Sequence, residues 1–288
     1  MTAMTGEMAK IAEGLVAGQI IPYLGPMVLK LDAANAVVPG TPEELVLRLV
    51  AKASVPHKIR NNLTATAQFI ENFKHRKTVV NLMNEAFAVP AQPTPLHRCL
   101  ASLPNLPLVV DVWYDAAMAQ ALQEKAVTWG QVQGLSQAEH FGNWAQFYNA
   151  DGSAANAAEA EHWVTLLYKP LGGIQPKANY IVSDSDYVEV LTEIDIQTPI
   201  PNIVQEIRRD RQFLFMGCRF ANQLERSFAR QIMKRSSAAH WAVLPEEPTK
   251  NEKRFMAEQN IQRLEMPLAE FANALMHATP LINRSAVA

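Results

Sequence analysis

Chemistry-bearing side chains in this sequence collect where short apolar runs stop. Ile20–Leu24 is followed by Gly25, Pro26 and Met27, and Val109-Val110 by Asp111, Trp113, Tyr114 and Asp115. Val164–Leu167 is followed by Tyr168, Lys169 and Leu171, and Phe213–Met216 by Gly217, Cys218 and Arg219. Carboxylates and cations in such places can hold an anion or move a proton. Asp111, Asp115 and Tyr168 are the candidates for proton transfer, and each needs a large pKa shift to act as a base near neutral pH. Asp115 has a second use open to it, capping the helix that begins just after it. Lys169 and Arg219 can bind a phosphate or carboxylate, or stand as solvated charges at strand ends.

Other chemistries lack their residues. The two cysteines, Cys99 and Cys218, form no Cys-x-x-Cys pair, and the seven histidines show no His-x-x-x-His spacing, so neither zinc nor another metal is expected. Phosphate-binding Gly-x-x-x-x-Gly-Lys and nucleophile-elbow Gly-x-Ser-x-Gly signatures do not occur. With 26 Lys and Arg against 28 Asp and Glu, the net charge of −2 disfavours nucleic acid and acidic membrane as partners. No stretch of about 18 apolar residues and no signal-peptide pattern stands out, so no membrane span and a cytoplasmic location are expected.

The elements that must position these residues follow from periodicity. Met8, Ile11, Leu15 and Val16 share a helical face ahead of the first apolar run. Thr41-Pro42-Glu43-Glu44 opens a helix through about Ala53, and residues 61–87 read as two more amphipathic helices. Apolar runs of four to six residues at 108–112, 164–168, 179–182, 213–216 and 240–244 alternate with helical stretches. Such alternation implies an α/β fold, a Rossmann-like doubly wound parallel sheet of about six strands with helices on both faces. Ligands of these sheets bind beyond the carboxyl ends of the strands.

Residues 125–162 depart from that pattern, being rich in Gln, Asn, Ala and aromatics, with a Ser136 to Glu139 capping-box spacing. They are expected to form a helical insertion in a single domain spanning 1–288. Trp129, Phe141, Trp144, Phe147 and Tyr148 either anchor it to the core or mark an interface with a protein partner or a second copy of the chain.

In order along the chain, these segments resemble the SIR2-like group of the sirtuin superfamily, the bacterial kind without a zinc module. Ile20–Gly25 stands where these proteins have a strand entering Gly-Ala-Gly-x-Ser, and Pro95-Leu96-His97 with Val109–Asp115 where a short helix and a strand ending in Thr-Thr-Asn-Tyr-Asp occur. Tyr168–Gly173 stands for Tyr-Lys-Leu-His-Gly-Ser, Ser183–Tyr187 for a Thr-x-x-Asp-Tyr element, and Phe213–Gly217 for the Phe-x-Gly strand. The resemblance implies an NAD-binding fold and a ligand crevice involving Gly25, Pro26, Asp111, Tyr114, Asp115, Lys169, Gly217 and Arg219.

It also implies where catalysis fails. The second glycine of the phosphate loop falls on Met27, the polar Asn on Trp113, and the general-base histidine on Leu171. Proline at 26 removes a backbone donor, indole accepts no hydrogen bond, and leucine takes no proton. The expectation is a SIR2-like pseudoenzyme without a cofactor, working by binding, assembly as a homo-oligomer, or ligand sensing in a narrowed, apolar crevice. The alternative is an NAD-consuming hydrolase, still binding NAD or ADP-ribose, with Asp111, Asp115 or Tyr168 as replacement residues.

Overall fold

The computed structural model describes residues 2–125, 128–196 and 199–285. Its first half runs α1 (Thr2–Val16), β1 (Ile20–Leu24), α2 (Pro42–Lys52), α3 (Leu63–Lys74), α4 (Arg76–Ala86), α5 (Pro95–Ala101), β2 (Leu108–Asp111) and α6 (Ala117–Gln123). Then come β3 (Trp129–Gly134), β4 (Ala145–Asn149), β5 (Ala154–Ala155), α7 (Ala157–Ala160), β6 (Thr165–Lys169), β7 (Gly172–Gly173) and β8 (Asn179–Tyr180). The chain continues through α8 (Asp184–Ile196), α9 (Asn202–Ile207), β9 (Gln212–Met216), α10 (Gln223–Met233), β10 (His240–Val243), α11 (Lys250–Glu258), β11 (Ile261–Leu264) and α12 (Leu268–Ser285).

Among the described residues the main sheet has the order β11-β10-β9-β1-β2-β6-β3-β4-β5. From β11 to β3 every neighbouring pair is parallel, and only β4 and β5 run against their neighbours. The strands alternate faces, as a pleat requires. Ile21, Tyr23, Val110, Tyr168, Phe213 and Phe215 pack into one apolar cluster with α2, α3, α4, α8 and α10. Ile20, Leu24, Val109, Leu167, Leu214 and Met216 pack into another with α1, α5, α6 and α12. Both faces are thus covered, the condition under which a strand can be apolar throughout.

The parallel part has seven strands, close to the expected six, Ile261–Leu264 with its alternately buried and more exposed residues being the edge strand. One expectation is corrected. Residues 125–162 are mainly strands, not helices, although 126 and 127 lie outside the described residues. The reason is visible in β3, an interior strand that carries glutamines instead of an apolar run. Gln131 Nε2 donates to the Gln175 carbonyl at 2.9 Å and Gln133 Nε2 to the Lys177 carbonyl at 2.8 Å, so their burial leaves these amides satisfied. Gly130 is needed there as well, because a Cβ would lie 2.3 Å from the Trp163 ring. Ser136 caps no helix; its hydroxyl donates to Asp186 Oδ1 at 2.7 Å.

Among the described residues no helix is long and apolar enough to cross a membrane.

Candidate functional site

The chain leaves β1 toward β2 on one side, while β9 and β10 lie on the other side of β1, so the direction of winding reverses between β1 and β9. At such a switch point the two following loops diverge and leave a crevice. A cavity of about 450 Å3 lies there, lined by Pro26 and Met27 after β1 and by Gly217 to Asn222 after β9. Trp113, Tyr114, Leu171, Tyr187, Glu43, Glu225 and Phe228 complete much of its wall. Its size falls within the usual range of small-molecule sites, about 300–1,000 Å3. The lining is mostly apolar, with Glu43, Arg219 and Glu225 as the charged residues among those described.

The loop after β1 is held by the loop after β9. Gly25 N–H donates to the Met216 carbonyl at 2.9 Å, Met27 N–H to the Gly217 carbonyl at 3.0 Å, and Val28 N–H to the Gly25 carbonyl at 3.2 Å. Pro26 has no N–H to offer. Every backbone donor from 25 to 28 is absent or engaged, whereas a phosphate cradle needs such groups turned toward the ligand. Gly25 itself is there for packing: a Cβ would fall 2.4 Å from Cys218 Cβ. Gly217 adopts φ of +70°, and a Cβ there would lie 2.7 Å from the Val28 nitrogen.

Met27, Trp113 and Leu171 meet in the cavity wall, although 144 positions separate the first from the last by number (171 − 27). The Trp113 indole donates to the Pro39 carbonyl at 2.7 Å and is buried. Tyr114 OH donates to the Ile181 carbonyl at 2.9 Å.

Asp111, Asp115 and Lys169 are not in this wall. Lys169 Nζ lies 2.7 Å from Asp111 Oδ2 and donates to the Asp115 carbonyl at 2.8 Å, all within the protein. Burial pushes the Asp111 carboxyl up to about 6, against the pull of the Lys169 ammonium. Asp115 Oδ1 accepts the Ala117 N–H at 2.8 Å at the start of α6, the capping use. It borders a separate cavity of about 150 Å3 with Phe87, Gln120 and Gln175. Nearby His97 accepts the Thr94 N–H at Nδ1, 3.1 Å away, and burial lowers its pKa to about 4.

Arg219 does line the cavity, but Glu252 takes its guanidinium at 3.1 Å through both Nε and Nη2, and Glu246 takes Nη1. Arg208, Arg211, Arg226 and Arg230 are similarly occupied. Arg208 is buried and donates to the Gln231 and Ile232 carbonyls, each at 2.8 Å, and Arg230 pairs with Glu258.

Of the aromatic positions expected at an interface, Trp129 and Tyr148 are buried inside the chain and have little surface for a partner. Trp144 and Phe147 are half-buried against the core, and Phe141 alone of the five is 94% exposed. Sequence reasoning missed Tyr23, Glu43, Glu225 and Phe228 as lining residues. Glu225 left a signal: it closes a capping box, Asn222 Oδ1 accepting its N–H at 2.8 Å, which holds it over the crevice end of α10.

A doubly wound parallel sheet with its cavity at the switch point is the architecture of the nucleotide-type Rossmann folds. The family model for the SIR2-like domain matches residues 107–264, more than half of the chain, and the chain belongs to that family. Among solved structures it is similar to a chain described as "Structural Basis for the Mechanism and Regulation of Sir2 Enzymes", with 12% identity, 97% of this chain and 99% of that chain covered, and a TM-score of 0.44. No curated protein sequence matches it.

Proposed function

We propose that this SIR2-family chain has lost NAD cleavage and works as a binding or ligand-sensing protein, one domain in which β3–β5 form the insertion. The observation that carries this reading is the loop after β1, whose backbone donors are absent at Pro26 or engaged by the protein itself from Gly25 to Val28. A pyrophosphate brought there finds no free N–H. Arg219, the one cation in the wall among the described residues, already serves two carboxylates, while Glu43 and Glu225 add negative charge. These residues do not fit NAD. At about 1–3 kcal/mol for each buried polar group left unmet, losing two or three phosphate contacts removes micromolar binding.

The catalytic alternative has little support, because Asp111 and Asp115 lie behind the wall and burial pushes the Tyr168 phenol up, away from use as a base. Incubating the protein with NAD tests the reading: nicotinamide release should not exceed the buffer rate. Steady release that stops on Asp115→Asn refutes it.

Binding to a protein partner or a second copy of the chain is favoured by one observation, the Phe141 ring on the β3–β4 connection.

A further inference from the structure

If the crevice has left dinucleotide chemistry, as proposed above, its walls still specify a ligand. The charged lining residues are Glu43, Arg219 and Glu225. Glu246 and Glu252 neutralise Arg219. Among the described residues neither Glu43 nor Glu225 has a cationic partner within ion-pair distance. Burial raises the Glu225 pKa against the hydrogen bonds at its capping box, and repulsion from Glu43 adds to the rise. The same carboxylate acts electrostatically on Tyr23, Tyr187 and Cys218, which places its charge among the aromatic lining rather than out in solvent.

The rest of the wall is aromatic: Tyr23, Trp113, Tyr114, Tyr187, Phe220 and Phe228, all buried within the chain. Trp113 and Tyr114 spend their polar tips on backbone carbonyls, so what these residues bring to the wall is the edge of an apolar ring. An anion is repelled here, and a neutral apolar molecule leaves Glu225, bonded to the Asn222 N–H, and Glu43 without a cation. A hard metal ion wants six or more oxygens, and no group of three His, Cys, Asp or Glu gathers among the described residues. Ring faces and carboxylates together suit a cation that carries its own apolar groups.

We propose that this cavity binds a small organic ammonium ion, its charge beside Glu225 and Glu43 and its alkyl groups against the aromatic wall. The two carboxylates supply the attraction, and the rings select an alkylated cation over a bare one.

Calorimetric titration of the full chain tests this with choline, with 1,5-diaminopentane, and with 3,3-dimethylbutan-1-ol, the uncharged carbon isostere of choline. At least one cation should bind saturably, the isostere at least about tenfold more weakly than choline, and Glu225→Gln should weaken binding about tenfold, or about 1.4 kcal/mol. Glutamine at this position keeps the capping box, and Glu43→Gln changes only an exposed first-turn residue, so both variants retain the fold, which thermal melting verifies. Glu43→Gln should weaken binding a fewfold. Absence of saturable binding by both cations up to roughly 10 mM overturns the proposal, as does equal binding of the isostere or unchanged affinity in both variants. Nicotinamide release from NAD on the same preparation separates the two readings. Release sinks the loss of catalysis whatever choline does, and a lack of cation binding without release sinks only the ammonium site.

Discussion

Lys169→Met separates a structural ion pair from a ligand-binding lysine. The substitution keeps the length of the side chain but leaves the Asp111 carboxylate buried without its partner at 2.7 Å and the Asp115 carbonyl without its donor at 2.8 Å. An unpaired buried charge costs several kcal/mol, and Asp111 escapes that cost by taking a proton. Protonating an ordinary carboxyl of pKa 3.9 at pH 7 costs about 1.36 × 3.1, or roughly 4 kcal/mol, which caps the loss from this source. The carbonyl adds about 1 kcal/mol. At pH 5 the cap falls to about 1.36 × 1.1, or roughly 1.5 kcal/mol. Wild type narrows the gap at both pH values, because its own Asp111 already titrates at about 6: the difference from this source is about 1.36 × 1, or roughly 1.4 kcal/mol, at pH 7 and close to nothing at pH 5. Urea unfolding should therefore show a destabilisation of about 2–3 kcal/mol at pH 7 that shrinks by about half or more at pH 5, with Lys169→Met/Asp111→Asn recovering much of it. A loss below about 1 kcal/mol at pH 7, or one independent of pH, refutes the pairing argument.

Gly25→Ala forces a Cβ to 2.4 Å from Cys218 Cβ and 2.5 Å from the Gly217 carbonyl, and should lower stability by about 1–3 kcal/mol in a denaturant titration. An unchanged midpoint would remove the packing role of this glycine. His97 and His240 are held by burial at about 4 against about 6.5 unfolded, so their contribution is complete above pH 6.5 and lost as pH falls toward 4, up to roughly 3 kcal/mol each. Asp111 works in the opposite sense between pH 6 and 4, so the comparison is wild type against His240→Gln, whose stability should fall less on acidification. A partner or dimer contact through Phe141 predicts that Phe141→Ser lowers the mass measured by light scattering without altering the melting temperature; a wild-type monomer excludes self-association.

The strands β1, β2, β6, β9 and β10 were legible because burial on both faces leaves an uninterrupted apolar run. β3 was not, because its interior positions Gln131 and Gln133 are paid for by carbonyls more than 40 residues away, at 175 and 177. The pairing of Asp111 with Lys169 depends on register. Val110 faces Tyr168 across β2 and β6, so the next residues on each strand become neighbours, and nothing local to either segment announces it. Met27, Trp113 and Leu171, spread over three loops, line one cavity because the loops after β1, β2 and β6 all leave the same end of the sheet. Tyr23 and Phe228 did not stand out because aromatic residues in a strand and a helix carry the same pattern whether they face a core or a cavity.

The mutual hold of the loops after β1 and β9 means that neither can change shape alone. Replacing Pro26 and Met27 with glycine adds one donor and removes one side chain, yet Gly25 N–H still points to Met216 and the residue 27 N–H to Gly217. A phosphate cradle appears only once the second loop also withdraws, which exposes Gly217 and Cys218 and breaks contacts that hold both strand ends. A substitution confined to one loop therefore leaves the hydrogen bonds to the other in place, so the shape of this end of the sheet is set by the two loops jointly.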